Sequence, residues 1–85
     1  MNIKVLGPGC AKCHSLDKLV REVVNELDIK ADVEYIKDMA KILEYPILIT
    51  PGLVINEEVV CSGSVPSKED VIKYITSALN KEGKS

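Results

Sequence analysis

Several features that would assign a chain to a broad functional class are missing here. There is no excess of basic charge: 11 Lys and Arg stand against 13 Asp and Glu, the net charge is −2, and the two signs alternate along the chain. That pattern excludes a basic stripe for nucleic acid and a polybasic patch for anionic lipid. No apolar run approaches the roughly 20 residues of a membrane span. The chain enters the strand-like "NIKVL" at once, without the pattern of a cleavable signal, which implies a cytoplasmic protein. Repeats, linkers and low-complexity segments are absent; only the closing "NKEGKS" reads as a fraying end. Residues 1–80 are therefore expected to form a single domain and residues 81–85 a flexible tail. With 46% hydrophobic and 28% charged residues, the composition is globular rather than disordered. At 85 residues the chain is nonetheless near the lower limit for a self-supporting core.

Cysteine is scarce and odd in number. A reducing cytosol does not favour permanent disulfides, so a close pair among three cysteines points to catalysis or metal binding rather than a structural staple. The pair is Cys10 and Cys13, in "GPGCAKCHSL". Three chemistries use such a cluster: a dithiol that exchanges with disulfides, a clip for a soft metal ion, or a CxxCH anchor for covalent haem with His14 as axial ligand.

The surrounding pattern divides cleanly. "IKVLG" is a short β-type run ending at glycine. From Cys13, apolar residues fall at Leu16, Leu19, Val20, Val23, Val24 and Leu27, which is helical spacing along one stripe. "ADVEYIK" is a second strand, and "DMAKILEY" a brief helix with Asp38 as N-cap and Pro46 as its end. "GLVIN" and "VVCSG" form a hairpin about Asn56–Glu57, and Ser67 with Asp70 opens a final helix whose face carries Val71, Ile72, Ile75 and Leu79. The order β-α-β-α-β-β-α implies a right-handed crossover between two parallel strands, then an antiparallel hairpin, with helices on both faces of a mixed four-stranded sheet.

Projected at about 100° per residue, Cys13 lies within the arc of Leu16, Val20 and Val23, while Cys10 lies at its edge and at the open helix N-terminus. His14 points to the opposite, solvated side. A helix N-terminus favours a thiolate through its unpaired N–H groups and the positive end of its dipole. This makes Cys10 the attacking nucleophile and Cys13 the sheltered thiol that resolves the mixed disulfide. Gly7 and Gly9 are expected to let the backbone turn sharply from strand to helix, and Pro8 to stiffen that turn.

Four pieces, "GPGCAKC", "DMAKILEY", "TPGLVIN" and "VVCSGSVPSKEDV", give the chain a resemblance, over nearly its whole length, to the small thioredoxin/glutaredoxin-like redox-active disulfide proteins. The resemblance implies a thioredoxin-like α/β fold, with the four-stranded sheet sandwiched by three helices, and thiol–disulfide oxidoreductase activity. It implies Cys10 and Cys13 as the catalytic pair and redox-active disulfide, and no organic cofactor or metal. It further implies a cis Thr50–Pro51 bond beside the cysteines, where Thr50 and Pro51 shape the substrate groove and Thr50 backbone receives an extended peptide as an added strand. The partners implied are disulfide-bearing protein substrates and an upstream reductase, acting on a monomer, with neither nucleic acid nor membrane.

The chain departs from the larger thioredoxins at three points. Lys4 stands six positions before the nucleophile, where many carry a buried carboxylate; either it snorkels its amine to the end of the sheet or, if buried, it favours a nearby thiolate. Asn56–Glu57 replaces the usual Asn-Gly, so a looser hairpin turn is expected. The tryptophan and proline of WCGPC are absent. A metal alternative stays open, with Cys10, Cys13 and Cys61 as ligands in a Cu or Zn carrier, although heavy-metal-associated domains end in a strand and this chain ends in a helix. Alternation places Cys61 beside Val59 on one face, where a free cysteine serves as a small hydrophobe or as a third redox partner.

Overall fold

The computed structural model describes residues 1–47 and 49–83. Its elements are β1 (Asn2–Leu6), α1 (Ala11–Glu26), β2 (Asp32–Ile36), α2 (Met39–Ile42), β3 (Gly52–Ile55), β4 (Glu58–Ser62) and α3 (Lys68–Gly83). The strands lie in the order β2-β1-β3-β4, with β1 parallel to β2 and antiparallel to β3, and β3 antiparallel to β4. This is the mixed sheet that the element order implies.

Alternation along β1 divides the core in two. Ile3 and Val5 join Leu53 and Ile55 of β3 beneath Leu16, Val20 and Val23 of α1 and Val71 and Ile75 of α3. Leu6 and Val54 turn to the other face and meet Ile36, Ile42 and Ile47. Helices α1 and α3 thus share one side of the sheet and α2 covers the other. Burying apolar area at about 25 cal/mol per Å² on both faces is what makes so short a chain self-supporting.

Each helix begins where its cap dictates. Asp38 Oδ1 accepts from the Ala40 N–H at 2.9 Å, and Ser67 Oγ accepts from the Asp70 N–H at 3.2 Å. Helix α2 is shorter than its sequence pattern suggests: it stops at Ile42, and tighter turns carry the chain from there to Pro46. Helix α3 continues to Gly83, beyond residue 80; Lys84 and Ser85 of the expected tail lie outside the described residues.

Two sequence-based expectations about the hairpin are corrected. The turn is tight, not loose: Ile55 pairs with Glu58, and Asn56 and Glu57 adopt φ of 50° and 67°, both in the left-handed region. Long-range bonds hold a glutamate where glycine is usual. Glu57 Oε1 accepts from Lys4 Nζ at 2.6 Å, Glu57 Oε2 accepts from the Tyr45 hydroxyl at 3.1 Å, and the Asn56 N–H donates to the Asn2 carbonyl at 2.7 Å. The second correction concerns Val59 and Cys61, which do not share a face. Val54 pairs with Val59 and Leu53 with Cys61, so Val60 is the extra residue of a β-bulge. The bulge leaves Val59 with the α2-side core and turns Cys61 towards the α1/α3 side.

Candidate active site

The site grows from the crossover between β1 and α1. After Leu6 the chain passes through Gly7, Pro8 and Gly9 and starts the helix at Cys10, whose carbonyl accepts the first helical bond from the His14 N–H at 3.0 Å. Cys10 is itself the N-cap. Its backbone is extended, at φ −72° and ψ 167°, and its Sγ accepts from the Cys13 N–H at 3.3 Å. A cysteine therefore fills the place where Ser, Thr, Asp or Asn is usual. No acidic residue stands in the first turn of α1 to neutralise the positive end of the helix dipole.

The two thiols sit in opposite surroundings. Cys10 is exposed, whereas Cys13 has 0% exposure beneath it. The Cys10 thiol is held below its ordinary value, first by a hydrogen bond from the Cys13 side chain and then by the Cys13 backbone N–H. Burial pushes the Cys13 thiol up, and its bond to Cys10 adds to that. One proton is thus shared unequally: the outer sulfur ionises first while the inner S–H supports its charge.

Glycine serves two different purposes here. Gly9 has φ 105°, a conformation that only glycine adopts readily, and so it makes the turn. Gly7 has no such φ. A Cβ built on Gly7 would overlap Cys13 Sγ and lie 3.0 Å from Cys13 Cβ and 3.9 Å from Pro51 Cα. Gly7 is therefore the floor on which the buried thiol rests, which corrects its expected role in turning the chain.

The same contacts bring Pro51 to the dithiol. The Thr50–Pro51 bond is cis, Pro51 is fully buried, and Thr50 is half-buried. The Pro51 carbonyl accepts from the Gly63 N–H at 2.8 Å, tying the loop before β3 to the loop after β4. Exposed Ile49 adjoins it.

The remaining candidates lie elsewhere. Lys4 Nζ reaches Glu57 and, at 2.8 Å, the Tyr45 hydroxyl, and these bonds hold it protonated above its usual value. Of the two roles open to it from the sequence, Lys4 takes the snorkelling one, on the α2 side of the sheet. Cys61 Sγ lies 3.7 Å from the Ser64 carbonyl, half-buried against the main core. Among the described residues no three His, Cys, Asp or Glu side chains converge to hold a metal ion, so Cys61 does not complete a site with Cys10 and Cys13. His14 is exposed, as its position on the helix requires, but its ring packs edge-on against Tyr35 at 5.5 Å between centroids. The sequence offered one cue to Tyr35, its alternation with Val33 in β2; its closeness to the thiols needs the α1–β2 packing.

An exposed thiol at a helix start, a protonated thiol buried behind it and a cis-proline alongside define a dithiol of the thioredoxin-like class. The sequence profile of the thioredoxin domain matches residues 1–76, and the chain belongs to that family. A thioredoxin of Methanothermobacter thermautotrophicus is 43% identical over 76 residues, spanning 89% of this chain and 99% of its own length. A thioredoxin of Methanocaldococcus jannaschii is 34% identical over 82 residues, spanning 96% and 92%. The fold also matches the solved structure of thioredoxin 1 from Thermosipho africanus, with a TM-score of 0.65 over 98% of this chain and 99% of that one at 18% identity. The chain is a thiol–disulfide oxidoreductase, and its substrates are disulfide-bearing proteins. No helix among the described residues is long and apolar enough to cross a membrane.

Proposed function

We propose that Cys10 attacks and Cys13 resolves. In the reducing direction, the Cys10 thiolate attacks one sulfur of a substrate disulfide. The Cys10–substrate bond forms, the substrate bond breaks, and the second substrate sulfur leaves as a thiolate that takes up a proton. Cys13 then loses its proton and attacks Cys10 Sγ, forming the Cys10–Cys13 disulfide and expelling the first substrate sulfur. Two electrons pass from the dithiol to the substrate. An upstream reductase returns them, and no further cofactor enters.

Thr50 and Pro51 line the groove where an extended substrate segment lies next to Cys10, with Thr50 backbone pairing as an added strand. The protein works as a monomeric single domain in the cytoplasm. The observation that carries the assignment of roles is the exposure contrast between an N-capping Cys10 and a Cys13 at 0%.

Trapping tests it. Cys13→Ser incubated with a disulfide-bearing protein is expected to hold a stable mixed disulfide through Cys10, seen on a non-reducing gel and released by dithiothreitol. Cys10→Ser is expected to trap nothing. Equal trapping by both variants, or trapping by Cys10→Ser alone, would reverse or remove the assignment.

A further inference from the structure

The resolving step makes a demand that burial opposes. To attack, the Cys13 sulfur must carry negative charge at a position with 0% exposure, and unpaired charge away from water is costly. No charged side chain is buried among the described residues, and Lys4 is committed to Glu57 and Tyr45 on the other face of the sheet. What stands beside the thiol is a phenol.

Tyr35 lies in β2 opposite Val5, two residues before Gly7 in the neighbouring strand. Its ring meets the His14 ring edge-to-face at 79°, which sets it against the first turns of α1, and Lys37 Nζ lies 4.9 Å over the ring. Its hydroxyl oxygen is buried and, alone among the buried side-chain nitrogens and oxygens of the described residues, has no hydrogen-bond partner. Buried hydroxyls are almost always paired, so an unpaired one beside a reacting centre calls for a use.

We propose that Tyr35 is a positioning residue for the resolving step, its buried hydroxyl donating a hydrogen bond to the Cys13 sulfur once that sulfur is a thiolate. The inference rests on Cys13 being the resolving thiol. During the step the Cys13 S–H proton passes, through solvent, to the departing substrate thiolate. The Cys13–Cys10 bond forms, the Cys10–substrate bond breaks, and the phenol keeps its own proton throughout. Burial first, and then charge at Cys13, push the Tyr35 phenol above its ordinary value, so it acts as a donor and not as a base. The titratable groups facing it are Cys10, Cys13, His14 and Asp17 from α1 and Lys37 from the end of its own strand. From β1 the same side presents Ile3 and Val5. A neutral donor of this kind stabilises an inner thiolate without adding a buried charge, which suits a site with no buried carboxylate.

Tyr35→Phe removes the hydroxyl and keeps the ring that His14 and Lys37 contact. Cys10 is loaded with thionitrobenzoate from Ellman's reagent, and its release by Cys13 is followed by absorbance in a stopped-flow instrument across a pH series. Hydrogen bonds to charged groups are strong enough that the variant is expected to release the leaving group roughly ten- to hundredfold more slowly at neutral pH. The rise of the rate with pH is expected to shift upward, while the rate of the initial Cys10 reaction is unchanged. Release at the wild-type rate with the wild-type pH profile would overturn the inference. So would a marked fall in melting temperature of the reduced protein, because a hydroxyl bonded in the resting fold is not held for the thiolate. Cys13→Ser distinguishes the two levels: if wild type retains the label as firmly as this variant, Cys13 does not resolve, and the assignment of roles fails together with the inference.

Discussion

The sharpest structural test of the site is a single methyl group on Gly7. Gly7 does not have a positive φ, so its backbone accepts alanine without strain. Were the space above it open, Gly→Ala would stabilise the protein by about 0.4–1 kcal/mol, because the unfolded chain loses freedom. The space is not open. The new Cβ would overlap Cys13 Sγ and crowd Cys13 Cβ at 3.0 Å, well inside the ~3.5–4.0 Å at which such atoms attract. Neither neighbour gives way without cost, since Cys13 is buried in the first turn of α1 and Pro51 is fully buried on the same side. Overpacking of this kind costs about 1–3 kcal/mol, so a net loss of about 1–2 kcal/mol is expected for Gly7→Ala, a fall in Tm of several degrees for a domain this small. The decisive measurement is a double-mutant cycle, with urea unfolding of the reduced wild type, Gly7→Ala, Cys13→Ala and the double variant. Removing Sγ removes the main overlap, so the double variant is expected to recover most of the loss, with a coupling of about 1 kcal/mol or more. Alkylation of Cys13 should also speed up in Gly7→Ala as its sulfur is pushed outward. A Gly7→Ala protein that gains 0.4–1 kcal/mol and keeps Cys13 protected would refute the claim that the thiol rests on this glycine.

Two further outcomes follow from the same geometry. Because the Cys10 thiol is depressed, chiefly by its bond from Cys13, its thiolate persists as pH falls below the ordinary thiol value of about 8.5. Iodoacetamide labelling of Cys10 should therefore titrate below that value in wild type and move up towards it in Cys13→Ala; an unmoved midpoint would mean that the inner thiol does not support the outer charge. Cys61→Ala is expected to leave the two-electron couple and disulfide reduction unchanged, since Cys61 sits against the α1/α3 core beside Ser64, apart from the dithiol. A changed potential in a redox-buffer titration would show that the third thiol takes part.

Most of the fold and the centre of the site are legible in the sequence because they follow from periodicity. The stripe of Leu16, Val20 and Val23 fixes which way Cys13 faces, and the offset of one turn leaves Cys10 outside. What is not legible depends on atoms far apart in the chain. Strict alternation puts Val59 and Cys61 together, and one bulged residue at Val60 separates them. Asn56–Glu57 looks like a poor tight turn until Lys4, 53 positions away, is seen to bond Glu57. Gly7 reads as a turn residue because glycine usually is one; only the position of Cys13 Sγ shows that its missing side chain is the point. Tyr35 is a half-buried strand residue by pattern, and only the packing of α1 on β2 shows where its hydroxyl ends.

These misreadings share a cause that bears on how so small a protein separates two identical thiols. No charged residue is buried among those described, so the difference between Cys10 and Cys13 does not come from a neighbouring ion. It comes from placement: a cap position open to solvent for one sulfur, and for the other a floor of glycine beside a buried proline. The inner thiol's bonds in turn lower the outer one, through its S–H and its backbone N–H together. The low-lying thiolate of Cys10 thus owes its largest support to its partner and is strongest while Cys13 is protonated. In the proposed cycle, once the mixed disulfide has formed Cys10 carries no charge, so one of the two reasons for Cys13 to keep its proton is gone while its burial remains, and the balance shifts towards the second attack. On the proposed roles, the hydrogen bond between the two sulfurs favours the order of the two steps.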